Sequence, residues 1–385
     1  MKEESKYKIT NFLRYYGDAL FYPFLALYFS HLNKTESQIG FLLMLIPLLG
    51  AILNPFWSLA SKNINYNRKI IIFLSLIEAV VIIYLTLVVK LPYLVIGALL
   101  LAIVGQPFYV LFDGFTAVYT ISNEVSFGRL RLFGSIGFAI GALMGGYFLK
   151  LTSFYLLFSL ASIAFVLVSL MLIWIKPLNL VLNKTLTEKP QPKQLFKNKK
   201  YLKFSMFFII SMGILFSGEA FLGVFFKSLE ISSDRYGIVV FIQVIIEALI
   251  LFLLTKWKHK KRLMFVMVFI VLANFIRFFS FNFSPPLILL ILVSIFRAVS
   301  MGGLLFVSVE YMKINVSAHN ITLGIVLFYS VKNVLQAIYT FIGGYFIERY
   351  SYQSFYLMTA FITLTALFFI DYRSSYDTIE KGVEK

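Results

Sequence analysis

The chain has no cysteine in 385 residues, which excludes disulfides and thiolate metal sites. Only three histidines occur, His31, His259 and His319, and they are too scattered to form a histidine-based metal site. No metal and no cofactor are expected. Charge is also scarce, at 14% Asp, Glu, Lys and Arg against ~25% in soluble domains. There is no Gly-Lys-Ser/Thr P-loop, no His-Glu-x-x-His and no Gly-x-Ser-x-Gly. ATP hydrolysis and enzyme activity are therefore not expected. Acids number only 18 against 35 Lys and Arg, a formal charge of +17, yet no basic stripe is interleaved with exposed aromatics. A nucleic-acid partner is not expected, and attraction to anionic lipid accounts for the surplus more simply.

What the chain has in abundance is apolar sequence. Hydrophobic residues make up 60%, and mean hydropathy is +0.85, which is the composition of an integral membrane protein. A helix needs about 20 apolar residues to cross the hydrocarbon. Twelve runs qualify, at 9–32, 38–60, 70–89, 92–118, 129–150, 153–175, 204–227, 235–255, 263–282, 285–309, 321–344 and 353–370. The segment Met1 to Lys8 is polar and no small-residue cleavage site follows, so the first run is expected to stay in the mature protein.

Basic residues mark the cytoplasmic loops. Alternate loops carry Lys62, Arg68 and Lys69 (+3), Lys176 to Lys203 (eight Lys less Glu188, +7) and Lys256 to Arg262 (+5). Both termini are thus expected in the cytoplasm, with the chain multi-pass in the plasma membrane. The longest loop, with Pro190, Pro192 and a Lys run, joins two six-helix halves. The expected organisation is an N-terminal half at 1–176, a linker at 177–203, a C-terminal half at 204–371 and a tail at 372–385.

The halves are repeats of one unit. Gly17-Asp18-Ala19 returns as Gly218-Glu219-Ala220, at an offset of 201. Ala139-Ile140 with Gly145-Gly146-Tyr147-Phe148 returns as Ala337-Ile338 with Gly343-Gly344-Tyr345-Phe346, at an offset of 198.

Ten ionisable residues lie in or beside the runs: Arg14, Asp18, Glu78, Asp113, Glu219, Glu247, Arg277, Arg297, Glu310 and Lys332. Each costs roughly 2.5–3.5 kcal/mol at a bilayer centre, so they are expected to face the bundle interior and mark a polar pathway. Simpler readings stand beside this one. Arg14 and Asp18, four apart on one helix, can merely neutralise each other. Glu78 has no partner within its own helix, and Glu310 can reach the headgroups. Gly134, Gly137, Gly141 and Gly145 form a stripe that admits a close neighbouring helix, with a hinge as the lesser alternative. Mid-span Phe138 either packs or stacks on a ring-bearing substrate.

The stretch Phe127-Gly128-Arg129-Leu130-Arg131-Leu132-Phe133-Gly134-Ser135-Ile136-Gly137 resembles the start of helix 5 in the oligosaccharide:proton symporters of the major facilitator superfamily. These are the lactose permease group and its phenylpropionate and nucleoside permease relatives. The resemblance runs from Pro23-Phe24 through Asn54-Pro55-Phe56-Trp57 to Gly344 and Glu348. It implies an all-α membrane fold of twelve transmembrane helices in two pseudo-symmetric halves, with a site near the midplane between Asp113/Arg131 and Glu247.

Asp113, fifteen residues before Gly128, and Arg131 match the family's sugar-engaging carboxylate and arginine. Glu247 matches its substrate-site acid and Arg277 its proton-handling arginine. Glu219 and Lys332 match a helix 7 acid and the helix 11 lysine that pairs with helix 7. Several positions depart from the pattern. Arg297 stands where the lactose permease group has histidine, Ser300 where it keeps the proton-carrying glutamate, Phe138 for a stacking tryptophan and Ile250 for a sugar-contacting asparagine. Ser61 takes the place of the loop aspartate that belongs to the cytoplasmic gate, and a galactoside is not the expected substrate.

The implied function is proton-coupled import of a small polar solute, a sugar, nucleoside or aromatic acid, by a monomer working through alternating access. Substrate is assigned to Asp113, Arg131, Phe138, Glu247 and Arg297, and proton coupling to Glu219, Glu247, Arg277 and Lys332. The alternatives are proton-antiport export of amphipathic compounds and a non-transporting membrane receptor. An enzyme acting on lipid has less support, because no nucleophile and base emerge.

Overall fold

Long apolar runs in lipid must satisfy every backbone group internally, and a helix does so. The computed structural model describes residues 2–60, 64–123, 125, 127–176, 191–257 and 262–370, and these hold helices and no strand. The first part comprises α1 (Glu3–Phe21), a 3-10 turn (Tyr22–Phe24), α2 (Leu25–His31), α3 (Glu36–Ala60), α4 (Ile64–Leu87), α5 (Leu91–Ser122), α6 (Phe127–Leu151) and α7 (Phe154–Trp174). The second comprises α8 (Pro192–Lys197), α9 (Lys199–Ala220), α10 (Leu222–Ser228), α11 (Ser233–Lys256), α12 (Arg262–Phe281), α13 (Leu287–Asn315), α14 (Ala318–Arg349), α15 (Tyr352–Leu364) and a 3-10 turn (Thr365–Phe369).

Eleven described helices are long and apolar enough to cross a bilayer. The first expected run is divided: Pro23, which has no N–H to donate, sits in the turn between α1 and α2. Its α1 part also carries Arg14 and Asp18. The expected linker includes helical residues. Residues 177–190 lie outside the described segments, whereas 191–203 form α8 and the first turn of α9. The Asn198 side chain caps that turn, accepting from Lys200 N and Tyr201 N at 3.1 Å each. Ser61, His259 and the tail from 371 also lie outside the described residues.

Two compact units emerge. One comprises Met1–Val181, Glu219–Ile245 and Thr340–Arg349, the other Leu182–Gly218, Ile246–Tyr339 and Tyr350–Lys385.

In the first unit α6 lies along α1, and the glycine stripe explains how. A Cβ at Gly141 would stand 2.7 Å from the Tyr16 carbonyl oxygen, and one at Gly145 would stand 2.7 Å from the Phe24 ring. Gly134 faces the Tyr15 ring and Gly137 the Phe12 carbonyl, so all four glycines serve the same helix contact. Three serines join α4 to α7. Ser75 donates to Phe165 O at 2.7 Å, Ser162 to Ala79 O at 2.9 Å and Ser169 to Ile72 O at 3.1 Å.

In the second unit Ser217 donates to Gln336 O and Tyr356 to Gly218 O, each at 3.0 Å. Such interhelical bonds average about 0.6 kcal/mol in a membrane bundle. Ser153 caps α7 and Ser351 caps α15, and these two serines stand at the offset of the sequence repeat.

Candidate functional site

Asp113 on α5 and Arg131 on α6 come together in the first unit. The guanidinium donates to both carboxylate oxygens, at 3.1 and 3.0 Å. The side chains remain 32% and 30% exposed, so the pair is open to a polar visitor rather than sealed in packing. Tyr15 on α1 completes the group: its hydroxyl donates to Asp113 at 3.0 Å and accepts from Arg131. The Arg131 guanidinium also lies over the Tyr15 ring, 4.5 Å from its centroid. Tyr15 was not among the residues singled out in the sequence. The available signal was Gly134, whose missing side chain leaves room for the tyrosine ring. Phe138, two turns beyond Arg131 on α6, is half-buried.

The second unit holds its own carboxylate–guanidinium pair. Glu247 on α11 forms an ion pair with Arg297 on α13, with side-chain exposures of 18% and 15%. Glycine again permits the approach, since a Cβ at Gly302 would stand 3.2 Å from the Glu247 carbonyl and from Ile250. Ser300, one turn from Arg297, spends its hydroxyl on backbone carbonyls, Phe296 at 3.0 Å and Ile270 at 3.2 Å.

The remaining expected residues lie on α9, α12, α13 and α14. Arg277 on α12 is fully buried, its guanidinium 5.5 and 5.3 Å from the ring centroids of Phe278 and Phe281. Lys332 on α14 donates to Gln336 at 3.0 Å and lies 4.8 Å from the Phe216 ring centroid. Glu219 is half-buried at the end of α9 and belongs to the first unit, whereas Lys332 belongs to the second. Glu310 takes a local partner, Lys313, at 3.2 Å.

A symmetrical closure lies within the first unit. Gly146 on α6 meets Gly237 on α11, and Gly344 on α14 meets Gly40 on α3; Cβ atoms there would stand 2.9 to 3.1 Å from the facing Cα atoms. Four residues after Gly146, Lys150 bonds Asp234 at 2.8 Å. Four residues after Gly344, Glu348 accepts from Ser37 N at 2.8 Å. Asp234 and Ser37 in turn stand three residues before Gly237 and Gly40. The repeated Gly-Gly pair therefore builds the same contact twice. Between these contacts α2 packs on α10, with Gly223 against Leu27 and with Lys227 donating to Ser30 at 3.0 Å.

Bundled membrane-crossing helices, interior charge pairs and a twofold-repeated closure define a polytopic membrane transporter. The MFS_1 like family model matches residues 5–363, and the chain belongs to that family. The chain is 22% identical over 354 residues to the uncharacterized transporter YwbF of Bacillus subtilis, covering 90% of this chain and 88% of that protein. It is 19% identical over 361 residues to a maltose permease of Geobacillus stearothermophilus, covering 92% and 91%. Among solved structures, a point mutant of the nucleoside transporter NupG superposes with a TM-score of 0.80 at 17% identity, covering 98% of this chain and 100% of that one. A D-xylose-proton symporter superposes at 0.66 and 15% identity, covering 95% and 96%. The fold is that of the major facilitator superfamily.

Proposed function

We propose that the protein imports a small polar organic solute together with protons, by alternating access, as a monomer in the plasma membrane with both termini cytoplasmic. The observation that carries this reading is the pair of partly exposed carboxylate–guanidinium contacts, Asp113–Arg131 and Glu247–Arg297. Burying charge in a membrane bundle is costly, and these four groups are paired and only partly covered by packing. A carboxylate accepts and a guanidinium donates directional hydrogen bonds, so a hydroxylated or amide-bearing solute satisfies both when it displaces one from the other. Sugars and nucleosides fit that chemistry and are the named substrates of the maltose permease and of NupG. The basic residues Arg68 and Lys69 in the first turns of α4 and Lys176 after α7 support the assigned orientation.

In this reading the six-helix halves, 1–176 and 204–371, are the bodies that rock, and the glycine contacts at Gly146 and Gly344 close the outer face. Substrate engages Asp113, Arg131 and Tyr15, with Phe138 beside them, and Glu247 with Arg297. Protonation of Glu247 neutralises its side of the ion pair with Arg297, which links proton uptake to release of the arginine. Glu219 is the second candidate carrier, and Arg277 and Lys332 set the local field. A thermal-shift screen of sugars, nucleosides and aromatic acids identifies the solute class, since a ligand at 100 times its Kd adds about 2.7 kcal/mol. Proton uptake by Glu247→Gln and Glu219→Gln vesicles then tests the carriers. Solute-driven acidification of the lumen that persists in both variants contradicts the assignment.

A further inference from the structure

The first unit contains a buried charge cluster that the substrate site does not use. Arg14 and Asp18 form an ion pair one turn apart on α1. Glu78 on α4 accepts from the Tyr22 hydroxyl at 2.9 Å through Oε1. Relative exposures are 1% for Arg14, 4% for Asp18 and 0% for Glu78, so water does not screen the group. Phe108 and Phe165 cover the guanidinium, their ring centroids 4.4 and 5.3 Å from Cζ. Gly105 on α5 makes room for the contact, since a Cβ there would stand 2.7 Å from the Tyr22 hydroxyl and 3.0 Å from Glu78. Arg14, Asp18 and Tyr22 follow one another at four-residue intervals, and Tyr22 is the residue that reaches Glu78.

Charge balance identifies what is missing. Tyr22, in the turn after α1, reaches Glu78; α1 carries the Arg14–Asp18 pair, and Asp113 of α5 is itself paired with Arg131 of α6. The facing helix α7 has no charged residue and contributes serine hydroxyls. Three carboxylates, Asp18, Glu78 and Asp113, therefore face two guanidiniums, Arg14 and Arg131. Asp18 and Asp113 each have an arginine. Glu78 is in no ion pair among the described residues, and its Oε2 has no hydrogen-bond partner among them. An ionised carboxylate in that position carries a desolvation penalty, which a bound proton removes.

We propose that Glu78 is a second proton-binding site, in the N-terminal bundle, and that Asp18 and Glu78 share Arg14 so that the proton resides on whichever carboxylate the guanidinium is not pairing. The role in transport rests on the proton-coupled reading above; the protonation itself does not. In the arrangement observed, Arg14 pairs Asp18 and the proton sits on Glu78. Movement of the guanidinium toward Glu78 transfers the proton requirement to Asp18, with no net change in charge until a proton leaves.

Infrared difference spectroscopy of the purified full-length protein in lipid nanodiscs tests this directly. The wild type at neutral pH is expected to show a protonated-carboxyl C=O stretch that shifts on exchange into D2O, survives Glu247→Gln and disappears in Glu78→Gln. Asp18→Asn leaves two carboxylates for two arginines, so the band should vanish at neutral pH and return only at tenfold or higher proton concentration. This second variant also decides the matter if Glu78→Gln does not fold. A wild type without the band, or a band that persists in either Glu78→Gln or Asp18→Asn, overturns the proposal. Loss of solute-driven proton flux with the Glu78 band intact counts against the transport reading instead, so the two failures are separable.

Discussion

Enlarging Gly344 should hold the outer face open. A Cβ added there meets Gly40 Cα at 2.9 Å, about 0.5 Å inside the 3.4 Å of ordinary contact, and also meets the Glu36 carbonyl. Both obstacles are backbone, so no flexible side chain can yield and the helices themselves must part. Overpacking of this kind costs typically 1–3 kcal/mol, and the cost falls only on the closed arrangement. A central value of ~2 kcal/mol shifts the closed-to-open ratio roughly thirtyfold. Gly146→Leu should act in the same way through Gly237, and the double variant should add little once the face is already open.

The absence of native cysteine makes the assay clean. A single Phe138→Cys, on α6 between Arg131 and the Gly146 contact, reports access from outside to a membrane-impermeant maleimide in right-side-out vesicles. Labelling should accelerate severalfold or more in Gly344→Leu and Gly146→Leu. Equal labelling rates in the parent and in both glycine variants would refute the claim that these contacts close the outer face.

Other substitutions read the site and its scaffold. Arg131→Lys keeps the charge but loses the planar fork, so ligand-induced thermal stabilisation should fall nearly as far as in Arg131→Ala. Tyr15→Phe removes one hydrogen bond to Asp113, worth about 0.5–1.5 kcal/mol, and should raise Kd roughly two- to tenfold in titration calorimetry with the solute found in the screen. Gly141→Leu crowds the Tyr16 backbone and should lower the melting temperature of the purified protein without changing the Kd of whatever remains folded. Lys150→Ala breaks an ion pair whose lysine is 50% exposed. Transport should fall much less than in Gly146→Leu, because surface pairs contribute about 0–1 kcal/mol.

The scaffold was legible because its causes are local. Apolar run lengths locate the helices, and the four glycines of α6 announce a close neighbour that proves to be α1. The first run was harder to bound, because Pro23 divides it and Arg14 and Asp18 dilute its hydropathy. Lys199, Lys200 and Lys203, which read as charge rather than as helix in the sequence, lie in the first turns of α9. Asp113 and Arg131 are legible as a pair through the family resemblance, whereas Tyr15, which joins them, is not.

Glu247 and Arg297 are both assigned to substrate, but the ion pair between them is not legible across fifty positions of sequence. Glu78 showed no partner because its donor, Tyr22, lies in the turn after α1, far away in sequence. The outer closure was half visible: Gly146 and Gly344 belong to the repeat, whereas Gly40 and Gly237 lie outside the matched segments and acquire meaning only when the helices meet.

The central claim is that solute and proton cross together. Purified protein in proteoliposomes, with a lumenal pH dye and no imposed proton gradient, should acidify the lumen when the identified solute is added outside, in step with its uptake. Solute entry without acidification, or alkalinisation of the lumen as solute enters, would contradict the account.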